Sequence, residues 1–239
     1  MATTPAATAT ERAGDRRPVV RNNLATRSLH GATALCVAVL LGTGWWIWSG
    51  HEGRPSVLAR ALDEPDVEIH RTAGWTLVVL AGLAVTAGVR GAVTFVRETA
   101  RADRGDLRWF RRWPVGAVTG RFPPHRGVFD PGQRVANVLF VVSLAVVIGS
   151  GVALTTLSGG PTFATMVRVH RCATVALTVF VVGHLVVVSG LLPGYRGVWR
   201  AMVGRGRAPR ATVRRLWPRS VPDEPGPPDR AAPPDTPAG

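Results

Sequence analysis

Four long runs without Asp, Glu, Lys or Arg constrain the fold of this sequence more than any other feature. They cover residues 28–50, 72–89, 135–167 and 172–195. A helix needs about 20 predominantly apolar residues to cross a bilayer, and only a helix satisfies its own backbone groups there. The sequence therefore predicts an all-α integral membrane four-helix bundle, with helices over about 28–48, 70–90, 134–157 and 168–193.

The two ends of the chain differ in composition from this region. Residues 1–20 are rich in Ala, Thr and Pro without an apolar period, and residues 205–239 are basic and then rich in Pro. Such composition is typical of segments that cannot bury enough apolar surface to fold. We therefore predict a disordered N-terminal tail over 1–20, a transmembrane domain over 21–204, and a basic, then proline-rich C-terminal tail over 205–239 whose proline-rich part, 222–239, is disordered.

The two cysteines exclude several classes of site. Cys36 and Cys172 lie in separate apolar runs, and the sequence has no C-x-x-C or C-x-x-C-H motif. A disulfide scaffold, a zinc module, an iron–sulfur site and covalent haem attachment are all disfavoured by this spacing.

The net charge of +14 indicates how the chain is oriented in the membrane rather than nucleic-acid binding, because the arginines that produce this charge flank the apolar runs. The N-terminal segment carries five arginines, the second loop ten and the C-terminal segment nine, whereas the first loop holds only Arg54 and Arg60 among several acidic residues. Cytoplasmic segments of membrane proteins carry the excess of positive charge. We expect a multi-pass protein of the cell membrane with both termini in the cytoplasm, lipid around it and no nucleic-acid partner.

Four histidines lie in or beside the apolar runs: His30, His70, His170 and His184. A polar side chain within a bilayer is costly unless it finds a partner inside the bundle. Fourteen residues separate His170 from His184, which is about 21 Å along a helix and nearly four whole turns, so the two share one face. With alternating helix directions, we expect an outer pair, His70 with His170, and an inner pair, His30 with His184.

Two histidine pairs at two depths favour two non-covalent b-type haems, each held by two axial imidazoles. Three alternatives remain open. First, each histidine could serve simply as a hydrogen-bond partner for a neighbouring helix. Second, the histidines could form a proton relay, although such a relay would normally include acidic residues within the spans. Third, the protein could be a metal transporter, although a transporter would not need histidine pairs at two depths. Arg71 and Arg171 each follow an outer-pair histidine, where they would contact haem propionates or extend to the membrane interface.

Together these features resemble the prokaryotic four-helix di-haem cytochromes b, above all the gamma subunit of membrane-bound formate dehydrogenase. The resemblance extends from about residue 21 to residue 217. It depends on a histidine opening the first helix with Thr43-Gly44 at its far end, a histidine opening the second, the pair on the fourth, FDPGQRVAN before the third, and the Arg-rich segment after the fourth.

The resemblance implies an electron-transfer subunit without a dehydrogenase active site of its own. The outer and inner pairs would each hold a haem, and Asp130, Gly132 and Gln133 would form a quinone pocket with His184. Electrons would come from an iron–sulfur subunit and a catalytic dehydrogenase subunit, and menaquinone or ubiquinone would accept them. Pro131 and Gly132 would equally suit the start of a helix.

This sequence departs from the family pattern at three positions. Asp130 stands where the family usually has Asn, Gly31 where it commonly has Trp, and Arg134 where it often has Lys. Cytochromes of nickel–iron hydrogenases and thiosulfate reductases share much of the histidine pattern. The other hypotheses are a stand-alone quinol-linked cytochrome b and, in another class, a haem-free scaffold or transporter.

Overall fold

The computed structural model describes residues 18–51, 53–86 and 89–217. Within these residues, four long helices and four shorter ones follow one another, with two 3-10 turns and two very short strands. In chain order the elements are β1 (Val19–Val20), α1 (Leu24–Trp48), α2 (Val57–Leu62), α3 (Asp66–Thr86), α4 (Val89–Thr99), α5 (Asp106–Thr119), α6 (Pro131–Leu154), α7 (Gly160–Val188), the 3-10 turns Pro193–Tyr195 and Val198–Ala201, β2 (Arg207–Ala208) and α8 (Arg210–Leu216).

Helices α1, α3, α6 and α7 are each long and apolar enough to cross a membrane. Helix α1 packs chiefly on α3, and α6 on α7, so the bundle consists of two helical hairpins. Cys36, Val37 and Leu77 form a buried cluster that Leu144 and Ile148 of the second hairpin contact. These features confirm the predicted all-α membrane bundle, apart from the two short strands.

The four long helices begin earlier than the apolar runs predict. Helix α1 begins after Asn23, whose side chain accepts a hydrogen bond from the Thr26 N–H at 2.8 Å. Helix α6 begins after Asp130, which accepts from the Gln133 N–H at 2.8 Å. Capping by a polar side chain fixes a helix start outside its apolar stretch, so these ends differ from the predicted ones by several residues.

The first and last described segments pair with each other. Val19 lies opposite Ala208 in an antiparallel ladder, and the Asn22 side chain donates to the Ala201 carbonyl at 3.0 Å. We call this β1–β2 contact the terminal clip. It places both ends of the described chain on the same side of the bundle, here called the terminal side.

Residues 205–217 are folded, although the sequence assigns them to the C-terminal tail. Ala208, Val213 and Leu216 are buried there, and Leu216 packs with Ala117 of α5 and with Tyr195. The arginine-rich composition hides this spaced apolar pattern. Val19 and Val20, at the end of the predicted N-terminal tail, are likewise folded, because they pair with β2. The rest of the two predicted tails, 1–17 and 218–239, lies outside the described residues.

Candidate functional site

The outer pair comes together between the two hairpins. His70 lies in the second turn of α3 and His170 in the first half of α7. Their ring centres are 6.2 Å apart and their ring planes are inclined by 77°. Both residues lie toward the side of the bundle opposite the terminal side.

The inner pair lies toward the terminal side. His30 is in the second turn of α1, and His184 is near the end of α7. Their ring centres are 6.3 Å apart, and Phe180 stacks on His184 at 5.8 Å between ring centres. The structure thus brings together the two pairs that the sequence predicts.

The spacing within each pair fits one iron atom between two imidazoles. A metal lies about 2 Å from a ligating imidazole nitrogen, and each ring centre lies about 1 Å further away, so the two centres should be roughly 6 Å apart. Within the described residues, no group of three or more His, Cys, Asp or Glu side chains could hold a bare metal ion. A haem would need only two ligands from the protein, since its own ring supplies the other four, so a pair of imidazoles at this spacing suits one haem.

A hydroxyl group from the neighbouring helix contacts each histidine of the outer pair. Thr43 Oγ1 lies 2.9 Å from His70 Nδ1, and Ser150 Oγ lies 3.0 Å from His170 Nδ1. Both hydroxyl-bearing residues are buried, with exposed fractions of 3% and 5%. Metal-ligating histidines commonly bond a second group through the nitrogen that is not on the metal.

A glycine follows each of these hydroxyls and lets the imidazole ring approach the helix. A Cβ on Gly44 would lie 3.1 Å from His70 Cε1, and one on Gly151 would lie 3.3 Å from His170 Cε1. Neither Ser150 nor Gly151 was among the residues predicted for the site. The repeated G-T-G and G-S-G triplets, at 42–44 and 149–151, are the signal that could have found them.

Arg71 and Arg171 lie beside the outer pair and already have partners. Arg71 forms an ion pair with Glu68 one turn earlier on α3, and the Arg171 guanidinium lies over the Trp48 ring at 5.6 Å. The propionate contacts proposed for these arginines stay a prediction.

Asp130, Gly132 and Gln133 each contribute to the terminal-side structure. Asp130 caps α6, a Cβ on Gly132 would lie 2.8 Å from Trp109 Cη2, and Gln133 Oε1 accepts from Trp217 Nε1 at 3.1 Å. These contacts agree with the helix-start alternative for this segment, and the quinone pocket stays a prediction.

Burial perturbs the acid at this point. Loss of solvation raises the pKa of the Asp130 carboxyl, and the Gln133 N–H that it accepts offsets part of this rise. Burial, and secondarily the nearby Asp130 charge, also raises the pKa of Tyr195. The protonated forms of Asp130 and Tyr195 are therefore favoured at the place where the bundle meets the terminal-side loops.

A cavity of about 660 Å³ opens beside the start of α6. Its lining includes Asp103, Asp106, Trp109, His125 and Pro131. His125 Nε2 lies 3.2 Å from the Leu216 carbonyl, while the buried His125 Nδ1 and Trp109 Nε1 have no protein hydrogen-bond partner. The cavity therefore offers polar groups to water or a small molecule on the terminal side.

The sequence matches a known protein family. The family model for prokaryotic cytochrome b561 matches residues 21–205, a range that holds all four long helices and both histidine pairs. No individually curated protein matches the sequence.

Proposed function

Because the chain belongs to the prokaryotic cytochrome b561 family, and is therefore a multi-pass membrane protein that binds b-type haem and transfers electrons, we propose that it is the di-haem membrane subunit of a respiratory complex. In this proposal the outer pair holds one haem and the inner pair a second. The observation that carries it is the spacing of the two pairs, 6.2 and 6.3 Å between ring centres.

The proposed role is to pass electrons across the membrane from a partner dehydrogenase to quinone. The two haems, when bound, supply one-electron transfer. The protein's own contribution is to hold both pairs at fixed depths on rigid helices, with α7 providing one histidine to each pair. An iron–sulfur subunit on the outer side and a catalytic subunit, formate dehydrogenase in the leading version, would supply the electrons.

The orientation proposed from the arginines makes this transfer conserve energy. If the terminal side is cytoplasmic, electrons move inward and the quinone takes protons from the cytoplasm. Each charge that crosses the full membrane against the potential stores about 2.3 kcal/mol per 100 mV. The cavity beside α6, with Asp103, Asp106 and His125 in its lining, is a route by which such protons could enter.

The quinone is proposed to bind near the inner pair, with Asp130, Gly132, Gln133 and His184 as the candidate contacts. Asp130 supports this assignment because it is buried on the terminal side with a raised carboxyl pKa, which suits a group that hands protons to a reduced quinone. The alternatives are the cytochrome subunit of a nickel–iron hydrogenase or a stand-alone quinol-linked cytochrome b. Co-purification with an iron–sulfur protein and a large catalytic subunit would support the formate dehydrogenase or hydrogenase hypothesis over the stand-alone cytochrome b.

The deciding experiment is haem stoichiometry on detergent-purified protein from haem-replete cells. We expect two non-covalent b-type haems per chain, with the outer haem lost in His70→Ala and the inner haem lost in His184→Ala. His51→Ala is the matched control, since His51 is in the first loop beyond α1, and it should keep both haems. One haem in the wild-type chain, or unchanged haem content in His184→Ala, would contradict the assignment; a colourless protein would favour the scaffold or transporter hypothesis.

A further inference from the structure

We propose that Thr43 and Ser150 are positioning residues that lower the reduction potential of the outer haem relative to the inner haem, and so bias electron transfer inward. This inference depends on the proposed function, since it takes the outer pair as haem ligands. It derives from the hydroxyl groups that contact the two outer imidazoles.

The Thr43 hydroxyl determines which nitrogen of His70 carries the proton. Thr43 Oγ1 lies 2.8 Å from the Val39 carbonyl, to which it donates its only proton. It must therefore accept from His70, so the proton resides on Nδ1, 2.9 Å away. Nε2 is left unprotonated, which is the state that a metal ligand requires.

The Ser150 hydroxyl does the same for His170. It donates to the Val146 carbonyl at 2.6 Å and accepts from His170 Nδ1 at 3.0 Å. Within each hairpin, the hydroxyl is on the first helix and the histidine on the second. The two hairpins thus repeat one arrangement, although their loops differ in length.

The inner pair lacks this support. Among the described residues, no hydrogen bond holds the ring nitrogens of His30 or His184, and His184 instead stacks on Phe180. An imidazole that donates a hydrogen bond through Nδ1 is a more basic ligand, and a more basic axial ligand favours the oxidised iron. The outer site should consequently give up an electron more readily than the inner site.

The direction of transfer follows from this difference. One electron leaves the group held by the outer pair, which is oxidised, and reduces the group held by the inner pair. The electron moves from the lower potential to the higher, so the two hydroxyls favour inward transfer. They touch only the ligands, and their effect is exerted through the imidazoles.

The test compares Thr43→Val and Ser150→Ala with wild-type protein in a redox titration monitored optically. We expect both variants to keep two haems per chain and the outer haem to shift to a more positive potential. At a fixed ambient potential its ratio of reduced to oxidised form should rise about three- to tenfold, a tenfold change being about 59 mV for a one-electron couple.

Conservative replacements and a control separate this role from simple packing. Thr43→Ser and Ser150→Thr keep a hydroxyl and should keep the wild-type potentials. Thr76→Val removes a hydroxyl on α3 that bonds only its own helix, at the Thr72 carbonyl, and should change neither haem. Thr43→Val could lose the outer haem altogether, in which case Thr43→Ser decides the question. An outer haem that Thr43→Ser keeps at the wild-type potential supports the proposal. Loss of the outer haem from Thr43→Ser overturns it.

Two outcomes distinguish failure of this inference from failure of the proposed function. Fewer than two haems in wild-type protein would remove the assignment of the outer pair. Two haems in every variant, with an outer potential that Thr43→Val and Ser150→Ala leave unchanged, would overturn the inference alone. The outer haem is identified in these titrations by its absence from His170→Ala.

Discussion

At the scale of single residues, Gly44 and Gly151 set how closely the outer imidazoles approach the neighbouring helix. An added methyl group would lie 3.1 Å from His70 Cε1 or 3.3 Å from His170 Cε1, which is tighter than ordinary van der Waals contact. Each ring is also held by a hydroxyl on the preceding residue, so it cannot move away without losing that hydrogen bond.

We therefore expect Gly44→Ala and Gly151→Ala to displace the imidazoles and weaken outer-haem binding by about tenfold or more. The measurement is haem per chain after extended washing in detergent. Gly42→Ala and Gly149→Ala are matched controls, because an added Cβ meets nothing within 4 Å at either position. Equal haem loss in the variants and the controls would contradict the geometric reason.

Asp130 gives a second prediction at this scale, concerning pH. Because burial raises its pKa in the folded protein, the folded state binds this proton more tightly than the unfolded chain does. The stability that the proton contributes is present below the ordinary Asp pKa of about 3.9 and is lost as the pH rises through the raised folded value.

Asp130→Asn should remove this dependence while keeping the helix cap, since Asn caps helices about as well as Asp. In thermal unfolding across a pH series, the variant's advantage should grow as the pH rises and vanish in acid. Asp130→Ala, which removes the cap, should lose about 0.5–2 kcal/mol of stability. An advantage for Asp130→Asn that is largest in acid would reverse the sign and refute the argument.

The sequence predicts the histidine pairs but not their hydrogen-bond partners. The pairing follows from helix direction and from a spacing of fourteen residues on α7, which are properties of single helices. The contact of Thr43 with His70 depends on how α1 and α3 rotate against each other, and the apolar pattern does not specify that rotation. The sequence therefore shows Thr43 and Ser150 as polar residues beside glycines on apolar helices, but it does not show that they contact the histidines.

At the scale of elements, an ion-pair cluster joins the start of α6 to the loop between α4 and α5 and to the first residue of α5. Arg134 is buried, with 3% of its surface exposed. Its guanidinium contacts Asp103 at 3.4 Å and Asp106 at 3.0 Å, and it donates to the Arg101 carbonyl at 2.7 Å. Three acceptors around one planar donor group suit arginine better than lysine.

Removing this cation would leave two carboxylates without their shared partner. Breaking a buried ion pair costs about 3–5 kcal/mol, and we expect less, about 1–3 kcal/mol, for Arg134→Ala because both carboxylates are partly exposed. Arg134→Lys should recover only part of the loss. The loss is measured as the change in the midpoint of thermal unfolding in detergent. Arg111→Ala, on the exposed face of α5, is the control. An Arg134→Ala variant as stable as this control would exclude the stabilising role of Arg134.

Element boundaries were the least predictable part of the fold. The apolar runs locate the centre of each span, yet α7 begins at Gly160, well before the predicted start near residue 168. Its first turns include Pro161 and pass Arg168 without a break, because helix continuity depends on backbone geometry and capping rather than on hydropathy. The same reasoning applies to α8, where arginines obscure two buried apolar positions, Val213 and Leu216.

At the scale of the whole molecule, the two hairpins and the terminal clip determine which loops share a side of the membrane. The clip places both ends of the described chain on the terminal side, and the loop from α4 to α6 lies there too. The ten arginines of the second loop and the nine of the C-terminal segment then predict that this side faces the cytoplasm.

Reporter fusions provide the test of orientation. Alkaline phosphatase joined after Gly53, in the first loop, should be active because it is exported, and the same enzyme joined at the C-terminus should be inactive. Green fluorescent protein should show the opposite pattern, since it folds in the cytoplasm. Reversed activities would invert the membrane orientation and, with it, the proposed direction of charge transfer.

The terminal clip also has a consequence for the order of events during synthesis. Val19 leaves the ribosome early, while its strand partner Ala208 follows only after all four spans. At about 5–20 residues per second the interval is roughly 10–40 s, during which the first hairpin inserts with its leading strand unpaired. The terminal side consequently closes last, after both hairpins have been synthesised.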